Sequence, residues 1–98
     1  MEALSEEELK KIILEIFDHG SVIPSEHARE MMRERGYNMA DVKHILKHGA
    51  LKKTEFSKKS YGYRYHIHGV DLEGHPGAVV TAISNLKIVI VTVMGGVK

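Results

Sequence analysis

Residues 24–49 read PSEHAREMMRERGYNMADVKHILKHG, and this stretch decides how the chain is divided. Pro24 precedes Ser25, a good N-cap, and Glu26 follows in the first turn, where a helix dipole favours acid. The helix predicted there runs to Arg35 and stops at Gly36. Ala28, Met31, Met32 and Arg35 share one face, with His27 at its edge. A further helix starts near Asn38 or Asp41, carries Val42, Ile45 and Leu46 as its apolar stripe, and ends at Gly49. With only Gly-Tyr-Asn between them, the two helices must turn sharply against each other.

Upstream, Ser5 and Glu8 form a capping box. Leu9, Ile12, Ile13, Ile16 and Phe17 follow at helical spacing, with Lys10, Lys11 and Glu15 toward water. Gly20 is placed to end this helix in a left-handed C-cap. Downstream of Gly49 the period changes to two. Residues 51–56 are a short charged strand. In residues 61–68, YGYRYHIH, Tyr61, Tyr63, Tyr65 and Ile67 point one way and Arg64, His66 and His68 the other. Residues 71–74 make a turn. Strands at 77–83 and 87–94 follow, joined at Ser84-Asn85, and the last is apolar on both faces, as a central strand is. The expected architecture is α+β: three N-terminal helices, then a four-stranded antiparallel sheet with helices on one face, in a single domain over residues 1–98.

Composition narrows the function classes. A hydrophobic fraction of 43% and a charged fraction of 28% describe a globular chain. The net charge of +1 supplies no global field toward nucleic acid or membranes, so a nucleic-acid site has to be a local basic patch. There is no cysteine, which excludes disulfides and thiolate chemistry. The acidic, amphipathic start is unlike a signal peptide, and the apolar run at 88–94 is too short to span a bilayer; a cytoplasmic protein is expected.

The candidate chemistry is spread over histidines and basic residues. His27 suits proton transfer near an RNA 2′-hydroxyl, or else packs at a helix–sheet junction. Arg35 suits a phosphate, or else caps the end of its own helix. Arg64, His66 and His68 share a strand face that either flanks phosphates or is simply solvated. The i, i+4 pair His44 and His48 is a second two-histidine set, and neither set matches a recognised metal motif. Lys52, Lys53, Lys58, Lys59 and Arg64 make a band that either tracks a phosphate backbone or protects an edge strand. Tyr65 and its neighbours either stack on bases or belong to the core.

The ordered motifs carry a resemblance. The S-x-H-A at residues 25–28, E-R-G at 34–36 and D-V at 41–42 come first. They are followed by YHIHG at 65–69, DLEG at 71–74 and VIVTV at 89–93. Together these resemble an uncharacterised bacterial and archaeal domain family, itself distantly similar to the RelE-like ribonuclease toxins. The resemblance implies a RelE-like fold, metal-independent RNA cleavage, RNA as substrate and an antitoxin-like protein partner. That family often carries arginine four residues after the motif histidine, where this chain has Met31. The resulting expectation is general acid–base RNA cleavage, with His27 and Arg35 catalytic and Arg64, Tyr65, His66, Lys52 and Lys53 binding RNA. It includes no metal and no cofactor. The alternative is a non-catalytic RNA- or protein-binding module.

Overall fold

The computed structural model describes residues 2–59 and 62–95. The elements are α1 (Glu6–His19), β1 (Ser21–Pro24), α2 (Glu26–Arg35), α3 (Met39–His48), β2 (Ala50–Ser57), β3 (Gly62–Val70), β4 (Pro76–Ser84) and β5 (Lys87–Gly95). The five strands form one sheet in the order β1-β5-β4-β3-β2. Neighbours are antiparallel except β1 and β5, which run parallel.

This corrects the expected four-stranded antiparallel sheet behind three consecutive N-terminal helices, and with it the RelE-like plan. A strand lies between the first two helices and makes the sheet mixed. Its sequence, Ser-Val-Ile-Pro, is too short for periodicity to register, and its partner lies far along the chain, with Val22 opposite Ile88. Gly20 has a different task from the left-handed cap expected of it. Its φ is −125, an ordinary extended value. A side chain there would strike the Leu86 backbone, and the close approach allows Ser21 N–H to donate to Leu86 O at 2.9 Å. The pairing continues where Ser25 N–H donates to Ile90 O at 2.9 Å.

The helix ends follow local chemistry. Ser5 and Glu8 form the capping box of α1, and Asn38 and Asp41 form that of α3. Ser25 accepts from Ala28 N–H and donates to Val91 O at 3.3 Å, so it starts α2 and pins that start to β5. Gly36 ends α2 at φ 70. Lys10, expected in water, donates to the carbonyls of Leu46 and Lys47 at 3.0 and 2.9 Å, ties α1 to the end of α3 and satisfies two orphan acceptors.

The three helices and one face of the sheet share a single core. Leu9, Ile13, Ile16, Ala28, Met32, Val42, Ile45 and Leu46 meet Tyr65, Ile67, Val79, Ile88, Ile90 and Val93. Because strand side chains alternate, Arg64, His66 and His68 point to the other face, beside Ala78, Val80 and Ala82. The last strand is internal, between β1 and β4, in keeping with its apolar sequence. Tyr61, read as part of the tyrosine face, lies outside the described residues. No helix among the described residues is long and apolar enough to cross a membrane.

Candidate functional site

The face of the sheet turned away from the helices gathers the basic and histidine side chains. On β3, burial of Tyr65 and Ile67 on the helix side forces Arg64, His66 and His68 outward. Across the hairpin, β2 carries a bulge between Leu51 and Lys53. The extra residue changes which β2 side chains share a face with His66. Past it, Lys53 stands opposite His66 and Glu55 opposite Arg64.

These side chains form a short network. His66 Nε2 lies 2.6 Å from Glu55 Oε1, and Lys53 Nζ lies 3.3 Å from Glu55 Oε2. The His66 hydrogen bond, helped by Lys53, holds the Glu55 carboxyl below the usual carboxylate range. An ionised carboxylate only accepts, so the His66 Nε2 carries the proton and its Nδ1 keeps a lone pair in the neutral ring. The His66 side chain is 18% exposed and that of Glu55 45% exposed, so the pair sits at the surface without being fully solvated. A carboxylate that orients an imidazole, flanked by an arginine and a lysine, has the parts needed to move a proton beside an anionic group.

The other sequence-nominated residues lie elsewhere. His27 is exposed at the second residue of α2. Arg35 is eight residues further on, so the two are about 12 Å apart along the helix axis. Arg35 opens onto a cavity of about 330 Å³ with Tyr37, Asp41, Asp71 and Glu73. Both aspartates there are buried and already engaged. Asp41 accepts from Asn38 and Leu72 N–H, and Asp71 accepts from Glu73 and His75 N–H. Burial alone would raise the Asp71 carboxyl, but the two amide hydrogen bonds outweigh it and hold the group below its usual range. Acidic walls make this cavity a poor place for a phosphate beside Arg35. Tyr65 is turned into the core, where its hydroxyl accepts from Leu4 N–H at 3.0 Å. Lys52 is exposed at the bulge.

The structure therefore brings together Arg64, His66 and Lys53, adds Glu55, and leaves His27, Arg35 and Tyr65 apart. Glu55 escaped sequence reasoning because its face depends on the bulge, which the pattern LKKTEF does not announce. No group of three or more histidine, aspartate or glutamate residues among the described residues could hold a metal ion.

The comparisons with known proteins bear on kinship alone. No curated protein and no solved structure matches the chain. A family model described as a domain of unknown function, DUF4258, matches residues 25–95, from the N-cap of α2 to the end of β5. That stretch holds every residue of the Glu55–His66 network and more than half of the chain, and the protein belongs to the DUF4258 family.

Proposed function

We propose that this domain binds RNA on the open face of its sheet and cleaves it without a metal, in a cytoplasmic setting. The observation that carries the reading is the 2.6 Å Glu55–His66 contact with Lys53 and Arg64 beside it. His66 Nδ1 takes the proton of an RNA 2′-hydroxyl while Glu55 holds the ring and balances the imidazolium that forms. The 2′-oxygen bonds to phosphorus, the 5′-oxygen leaves with a proton from water, and a 2′,3′-cyclic phosphate results. Arg64 neutralises the phosphate. His27 and Arg35 take part only if RNA passes beyond the sheet to α2, and Ala variants of each test that.

The second reading is a binding module with the same surface. It is favoured by the separation of His27 from Arg35 and by Met31 in the position where the resembling family often has arginine.

One assay separates the readings. Labelled RNAs are incubated with purified protein in excess chelator. Cleavage by the wild type, reduced about a hundredfold or more in folded His66→Ala and clearly reduced in Glu55→Gln, supports catalysis. Salt-dependent RNA binding without cleavage, weakened by Arg64→Ala, leaves only the binding module. The absence of both activities sinks the RNA reading.

A further inference from the structure

The exposed outer face of α3 carries an arrangement that neither the core nor the sheet site uses. His44 and His48 stand one turn apart, with ring centres 4.7 Å apart and ring planes tilted by 53°. His44 Nδ1 lies 2.9 Å from Val70 O. A carbonyl oxygen can only accept, so Nδ1 must be the protonated nitrogen, and the neutral ring presents its lone pair at Nε2. A backbone carbonyl that fixes the tautomer and orientation of an imidazole is the usual outer-shell support of a metal-binding histidine.

We infer that His44 and His48 form a two-histidine chelate for a late first-row divalent cation, copper(II) before nickel(II) and zinc(II). Geometry carries this. With metal–nitrogen bonds of about 2.0–2.1 Å the ion sits roughly 3.2 Å from each ring centre, so rings at the observed spacing subtend roughly 95° at it. That angle is near the right angle of a tetragonal copper(II) or nickel(II) centre with nitrogen ligands. Water fills the remaining positions, because no third histidine or carboxylate stands close enough among the described residues. Both ligands come from one rigid helix, so little ordering accompanies binding. Of the two lysines that adjoin the pair in sequence, Lys43 has its ammonium 5.8 Å from the centre of the Phe17 ring on α1, and Lys47 is exposed. Hard oxygen-seeking cations such as magnesium find nothing here to bind.

The test uses the full chain and copper(II) chloride alone. Substoichiometric copper is added while the imidazole proton resonances of the seven histidines are followed, and affinity is measured by calorimetry. The expected result is one equivalent bound, with the His44 and His48 resonances broadened first. His48→Ala is expected to weaken binding at least about tenfold, and His19→Ala to leave it unchanged. His44 also tethers Val70, so His44→Ala could loosen the loop; His48 is exposed, and His48→Ala decides the matter in a protein shown to keep its melting temperature. Uniform broadening of all histidines, or unchanged affinity in His48→Ala, overturns the proposal.

Discussion

The Tyr37 hydroxyl makes a quantitative prediction about alkaline stability. Tyr37 is 8% exposed, and its hydroxyl is buried with no acceptor at hydrogen-bonding geometry among the described residues. Burial raises its ionisation most, and the nearby charges of Asp71 and then Asp41 add to the effect; Arg35 opposes it. The result is pushed up to about 12. In the unfolded chain a tyrosine ionises near pH 10. Below pH 10 the hydroxyl is protonated in both states and contributes no pH dependence. Between about 10 and 12 only the unfolded state loses the proton, so stability falls as pH rises. The loss works out at about 1.4 kcal/mol by pH 11 and about 2.7 kcal/mol once pH passes 12. Tyr37→Phe removes this term and keeps the ring. Lys10 works in the other direction, since burial lowers its ammonium, but it is common to both proteins and cancels in the difference. Urea unfolding followed by circular dichroism at pH 7, 9, 10 and 11 gives that difference. The wild type should lose about 1.3 kcal/mol more than Tyr37→Phe between pH 9 and 11. Parallel curves for the two proteins would refute the buried, charge-flanked hydroxyl.

Two further predictions concern packing. A side chain at Gly77 would meet the Tyr37 hydroxyl and the Ile45 Cδ1, so Gly77→Ala should cost about 1–3 kcal/mol. Combining it with Tyr37→Phe should recover about 1 kcal/mol; strict additivity in a denaturation-based double-mutant cycle would place the clash elsewhere. Ile45 and Ile90 are fully buried at the two sides of the core, and truncating either to Ala should cost about 2–5 kcal/mol. Losses under about 1 kcal/mol for both, measured by urea unfolding, would mean that the core is misplaced.

What the sequence disclosed and what it hid divide along the range of the interactions involved. The caps at Ser5, Ser25 and Asn38 and the left-handed Gly36 act within a few residues, so the letters alone give the helices. The alternation in β3 likewise separates Tyr65 and Ile67 from Arg64 and His66 without any knowledge of partners. Strand β1 was hidden because its identity rests on a backbone partner more than sixty residues away: four residues with a proline become a strand only when Leu86 O and Ile90 O stand beside them. The candidate site was half visible for the same reason. Arg64 and His66 belong to one strand and could be grouped by period two. Glu55 belongs to another strand, and one bulged residue decides whether it faces His66 or the helices. The proposed chemistry depends on that register, because without Glu55 the His66 ring has no fixed tautomer and its lone pair no defined direction. Deleting Lys52 should therefore remove the bulge yet keep Lys53 opposite His66 and Glu55 opposite Arg64, so the His66–Glu55 contact, read from the imidazole nitrogen shifts of His66, should persist; one residue added between Lys53 and Thr54 should turn Glu55 toward the helices and abolish it.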